Sequence, residues 1–291
     1  VMDNSIPLPA QANPLATGRL YDLIWFPRTT WLEDLADTAQ PELWTSGELA
    51  RDQHEQAAET SRRHDILHNY FTYYTRRIID EGLFIERETG EGVRIAAFDT
   101  GLLSRVSGEP LYALFERNRD AGRQPWVHQG WVTPDDLRIM KFFEEGTLRR
   151  ARFFDDPGEV VFDPNCDVVP NVAHIVMDRG DRFPDDVPER LRQDVLRGGI
   201  ARAVQRSRTN WRLAAPMMFY NGPHDKGRIT LLLPLTMGDP DRVESALVVD
   251  RITPTTYRAA TILTLQMAYK NARVITRPES TWLHVGAPVE P

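Results

Sequence analysis

The apolar positions change period along the chain. Trp31, Leu32, Leu35 and Ala36 recur at helical spacing, and Thr30 stands where an N-cap belongs, so Thr30–Thr38 reads as a helix. From Glu48 to Glu81 there is no Pro or Gly, and Ile66, Tyr70, Tyr73, Tyr74, Arg77 and Ile78 keep the helical period until Gly82 stops it. The texture then turns to strands. Leu83–Arg87 and Val93–Phe98 flank a hairpin turn at Thr89–Gly92, and Leu111–Phe115, Trp126–Val132, Ala151–Phe154, Val160–Phe162 and Val172–Met177 read as further short strands. Asp135–Phe143 makes one helical interruption. Glu189 to Ser207 returns to helix with a break at Gly198-Gly199, and Met217–Tyr220, Arg228–Leu235 and Ala246–Ile252 are strands. Thr261–Val274 is a last helix before Pro278.

Helices toward both ends and strands in the middle predict an α+β fold: a helical N-terminal part, a central antiparallel or mixed sheet, curled and barrel-like, and a C-terminal helix. Regular β-α alternation is missing, which argues against a doubly wound parallel sheet. No repeat and no low-complexity linker shows. The expected organisation is a flexible leader over residues 1–18, one domain over 19–285 and a tail over 286–291.

Composition narrows the class of function. The single thiol, Cys166, leaves no disulfide framework and no four-Cys zinc site. No run approaches the roughly 20 apolar residues of a membrane-spanning helix, and the start lacks the basic and apolar regions of a signal peptide, so the expectation is a cytoplasmic protein away from membranes. A net charge of −7 argues against coating nucleic acid through bulk electrostatics. Of the 35 cations only Lys141, Lys226 and Lys270 are lysine, so the cations are mostly two-pronged guanidinium groups suited to phosphate or carboxylate.

Nucleotide-loop, nucleophile-elbow and zinc-helix motifs are absent. His64 and His68, at i,i+4, find no companion at ligand spacing, so no transition-metal site is expected. One segment stands apart. Between Val195 and Pro216 there is no acid but five arginines, Arg197, Arg202, Arg206, Arg208 and Arg212. Arg202 and Arg206 would share one helix face, and Gly198-Gly199 before them would let an anion approach. A solvated helix face paired with acids elsewhere, such as Asp194, is the competing reading.

The segment "AATILTLQMAYKNARVITRPESTWL" (259–283), preceded by "RITLLLPL" (228–235) and "ALVV" (246–249), is similar to the C-terminal signature of a bacterial and fungal domain family of unknown function. That family is often fused to NYN nuclease or OST-HTH (LOTUS) RNA-associated modules. "PELW" (41–44), "FDTGL" (98–102), "LYALFERN" (111–118), "NVAHI" (171–175), "RFP" (182–184) and "NWRLAAP" (210–216) match in order, so the resemblance spans about residues 20–285. It implies work near RNA or nucleotides, and it points to Asp99, Thr100, Asn171, His174, Asn210, Asn271 and Arg273 as motif positions. Asn presents a donor and an acceptor to a base or ribose, and Arg grips phosphate. His174 is the motif group whose ordinary pKa lies near neutrality, hence the candidate acid or base.

The leading expectation is recognition of a nucleotide or short single-stranded RNA by a basic cleft holding Arg202, Arg206, Arg208, Asn210, Asn171, Asn271, Arg273, Asp99 and Thr100. The first alternative is a phosphodiester or phosphoanhydride hydrolase using His174. The second is a protein-interaction module that docks a protein partner on exposed Trp and Tyr. No cofactor is required by these readings, apart from a Mg²⁺ ion accompanying a bound phosphate.

Overall fold

The computed structural model describes residues 20–46, 63–90, 92–120, 122–184, 187–221, 225–279 and 282–283. The expected leader, the tail and the first part of the helix expected from Glu48 lie outside these residues. The chain forms two compact units, residues 1–152 with 220–226, and residues 153–219 with 227–291.

In the first unit, helix α1 (Leu20–Leu23) and strand β1 (Ile24–Trp25) are followed by α2 (Trp31–Thr38) and α3 (Asp65–Asp80). A meander β2 (Ile85–Glu88), β3 (Arg94–Leu103), β4 (Pro110–Arg117), β5 (Trp126–Val132) and helix α4 (Leu137–Phe142) complete it. The meander is antiparallel, and β1 adds parallel to β5, giving the order β1-β5-β4-β3-β2. Phe71 of α3 meets Phe98 and Trp131 on one face of this sheet. On the other face Ile139 and Phe143 pack with Ile95, Ala97 and Leu114.

The second unit runs β6 (Asp167–Pro170), α5 (Val172–Asp178), α6 (Arg192–Thr209), then β7 (Ala215–Phe219), β8 (Arg228–Leu235), β9 (Ser245–Thr253), β10 (Thr256–Thr264) and α7 (Leu265–Arg273). Its sheet has the order β6-β10-β9-β8-β7, with β6 parallel to β10 and the rest antiparallel. Val172 and Ile175 of α5 and Leu196, Ile200 and Ala203 of α6 share a core with Leu231, Leu233, Leu247, Val249, Ala259 and Ile262. α7 packs against β7, β9 and β10 through a face that buries Ala268, Tyr269 and Ala272.

Among the described residues the two units repeat one topology: a strand, two helices, a four-strand meander with the first strand laid parallel on its last, and a closing helix. The last meander strand carries a β-bulge in both. Leu114 pairs with Gly130 and Phe115 with His128, which leaves Gln129 extra. Val249 pairs with Ala259 and Val248 with Thr261, which leaves Ala260 extra.

The α+β class and the C-terminal helix stand as expected. The strands, however, divide between two five-stranded sheets, and neither closes into a barrel. Each sheet carries helices and buries apolar side chains against them, so it need not curl on itself to make a core. Val172–Met177 is helix α5 rather than a strand, because Asn171 caps it and Val172 and Ile175 are buried one turn apart. Ala151–Phe154 and Val160–Phe162 form no strand, and a 3-10 turn covers Pro157–Val160. The stretch from Thr261 to Thr264 belongs to β10, so the last helix starts only at Leu265. α6 runs through Gly198 and Gly199 without a break.

Candidate functional site

The arginines of the acid-free segment are spread by the structure. Arg197 Nη1 pairs with Asp194 Oδ1 at 3.0 Å. Arg202 donates from Nε to Thr236 Oγ1 at 3.2 Å and from Nη2 to the Thr236 carbonyl at 2.9 Å. Arg206 is exposed, and its side chain makes no hydrogen bond or ion pair among the described residues. Arg208 Nη2 donates to the Cys166 carbonyl at 3.0 Å and lies 3.7 Å from Asp167 Oδ1. Thus Arg202 ties α6 to the chain just past β8, and Arg208 ties it to the start of β6. Of the two glycines before them, Gly199 serves packing: a Cβ on it would stand 2.7 Å from the Thr236 carbonyl oxygen.

His174 is exposed on α5, its Nδ1 3.4 Å from Asp178 Oδ2. No hydrogen bond or ion pair joins it to the arginines among the described residues. The Asn171 side chain accepts from His174 N at 3.4 Å, a helix cap. On α7, Asn271 is half-buried and Arg273 buried. Asp99 and Thr100 belong to the first unit. Asp99 accepts from Gly101 N at 2.7 Å, and burial pushes its pKa up while that bond and Arg150 pull it down. Thr100 Oγ1 donates to the Leu111 carbonyl at 2.7 Å, holding β3 to β4.

Asn210 does enter a cleft. It follows the last turn of α6, and its side chain accepts from Arg212 N at 3.2 Å to cap the 3-10 turn Trp211–Leu213. Asn210, residues 212–216 and residues 276–279 line an open cleft of about 670 Å³ in the second unit. One wall is the chain entering β7, the other the chain after α7. Trp282 Nε1 donates to the Leu213 carbonyl at 2.7 Å, which fixes the first wall from within the same unit. Arg212 and Arg277 belong to the lining, together with Glu279. Trp211, outside this lining, is 49% exposed, with the Arg212 guanidinium 5.4 Å from its ring centroid. Arg202, Arg206 and His174 are not part of this lining.

Arg277 went unmarked in the sequence, because only the return of the chain past α7 brings it to Arg212. Its one signal is its place inside the long C-terminal signature. Among the described residues no three His, Cys, Asp or Glu side chains gather as a metal site, and no helix is long and apolar enough to cross a membrane.

No curated protein and no solved structure matches the chain. The family model described as "Domain of unknown function (DUF3825)" matches residues 35–282. A match over that much of the sequence is a match over both units, and the chain belongs to the DUF3825 family.

Proposed function

We propose that the cleft at Asn210 binds an anionic ligand of the nucleotide class, a nucleotide or a short single-stranded RNA. The observation that carries the reading is the meeting of Asn210, Arg212 and Arg277 on one open cleft of about 670 Å³. That size falls within the roughly 300–1,000 Å³ of small-ligand sites. Guanidinium groups suit phosphate oxygens, and the Asn210 amide, whose oxygen caps the 3-10 turn, keeps its N–H donors for a base or ribose. The RNA-associated modules that the family resemblance implies favour the same class. His174 lies outside the lining, so the proposal is binding without a reaction.

Calorimetric titration with AMP and with a short oligoribonucleotide tests it. Arg212→Ala and Arg277→Ala should each weaken binding by roughly 1.5–3 kcal/mol, about tenfold to more than a hundredfold in Kd. Lysine at either position should restore only part of the loss, since a point charge does not reproduce a two-pronged contact. Absence of saturable binding, or binding indifferent to both substitutions, would sink the proposal.

A further inference from the structure

The bulge at Gln129 resets the pleat of β5. Residues three apart on a regular strand point to opposite faces. With one residue extra, His128 and Trp131 turn to the same face, their ring centroids 4.2 Å apart. Gly130 supplies the backbone the bulge needs, with φ +152°. The matching bulge in β10 turns Ala259 and Ile262 into the apolar core of the second unit. There the same topology is filled with alkyl groups. Rings and an imidazole are therefore not what the topology demands at this place; in the first unit they pack with Phe26, Phe71 and Phe115.

They border a cleft of about 580 Å³ between α2 and β5, whose lining includes Trp31, Asp34, Asp37, His128, Gln129 and Trp131. Trp131 Nε1 donates to the Trp31 carbonyl at 3.2 Å, which fixes the indole. His128 is neutral, because burial pushes its pKa down to about 3. Its buried Nε2 has no hydrogen-bond partner among the described residues. The backbone bond with Gly130 therefore falls to Nδ1, and that leaves Nε2 as an acceptor. An unmatched buried acceptor is destabilising, and a donor would remove that cost. Asp34 of α2 pairs with Arg28, just before the helix, at 3.8 Å, whereas Asp37 is exposed and makes no ion pair among the described residues. Carboxylates outnumber cations in the lining, two to one, so the field disfavours phosphate.

We propose that this cleft binds an organic cation bearing N–H donors, a guanidinium or alkylammonium group. Asp37 balances the charge, the Trp131 ring offers a face to the cation, and His128 Nε2 accepts an N–H. The same chemistry belongs to a free amine and to an arginine side chain of a partner peptide. Calorimetric titration of the full chain with agmatine and with an acetylated, amidated Gly-Arg-Gly peptide separates those sources by which binds more tightly. Agmatine or the peptide should bind at one site, at least tenfold more weakly in Asp37→Asn and in His128→Phe, and with unchanged affinity in Arg277→Ala. That last arm keeps this cleft distinct from the one proposed for nucleotides. If His128→Phe does not fold, the exposed position decides alone. No saturable binding of either probe up to millimolar concentration, or equal binding by Asp37→Asn, overturns the proposal, as does AMP binding that Asp37→Asn alters.

Discussion

Gly199 and Thr236 approach so closely that a Cβ on the glycine would stand 2.7 Å from the threonine carbonyl oxygen. The same oxygen accepts from Arg202 Nη2 at 2.9 Å, one turn further along α6. The missing side chain lets the helix lie low over the end of β8, and the arginine then closes over the contact. Backbone meets backbone here, so nothing flexible can yield. Gly199→Ala should cost about 1–3 kcal/mol, as overpacking does. Gly198→Ala is the control, since its Cβ would meet only the end of the Arg202 side chain at 3.3 Å. There the gain in helix propensity, up to about 1 kcal/mol, should offset the contact. Urea unfolding of the two variants decides it, and equal effects would contradict this account of the contact.

Arg202 and Arg206 should separate by the same measurement. Arg202→Ala removes two hydrogen bonds to Thr236 and should lower stability by about 1 kcal/mol. Arg206→Ala, at an exposed side chain, should stay within about 0.5 kcal/mol. Losses of equal size would mean that the Thr236 contacts contribute nothing.

Much of the fold was legible where a short apolar run is bounded by turn residues. Trp126–Val132 and Arg228–Leu235 are strands over the bounds read from the sequence, and the second helix begins directly after Thr30. Thr30 nonetheless makes no side-chain cap bond. The β-branched Val172, Ile175 and Val176 read as a strand, because a seven-residue helix offers too few turns for its period to show. The repeated topology was not legible, since it lies in pairings between distant strands while residue types differ at matching places, such as His128 and Ala259. A glycine inside "WVHQGWV" does hint at a bulge, but which side chains the bulge re-aims depends on the register with β4. The cleft at Asn210 was half legible. Asn210 and Arg212 sit in the marked segment, whereas Arg202 is held by Thr236 and Arg277 meets the cleft only through the tertiary fold.

Asn171 and His174 should trade the roles that residue type suggests. Asn171→Ala removes the side-chain cap of α5 and should cost about 1 kcal/mol, whereas Asn171→Asp keeps an acceptor and should cost less. His174→Ala exposes no buried group and should leave stability within about 0.5 kcal/mol. Thermal unfolding of the three variants checks the order, and a His174→Ala loss larger than that of Asn171→Ala would contradict it.

The buried imidazole of His128 should make the first unit acid-sensitive. Its folded pKa is lowered to about 3, against roughly 6.5 in the unfolded chain, so the unfolded state binds the proton first as pH falls. The stability the neutral ring contributes is complete above about pH 6.5 and declines below it, by up to about 1.4 kcal/mol per pH unit, until the folded form protonates near pH 3. Asp80 and Asp99 act the other way, because burial raises both carboxyl pKa values and protonation then favours the folded state. The total pH profile mixes these signs, and the difference between wild type and His128→Phe isolates the imidazole. Between about pH 7 and pH 5 wild type should lose roughly 2 kcal/mol more than the variant. Urea unfolding at the two pH values measures the difference. A gap that does not change with pH would mean that the ring takes up its proton in the folded protein as readily as in water.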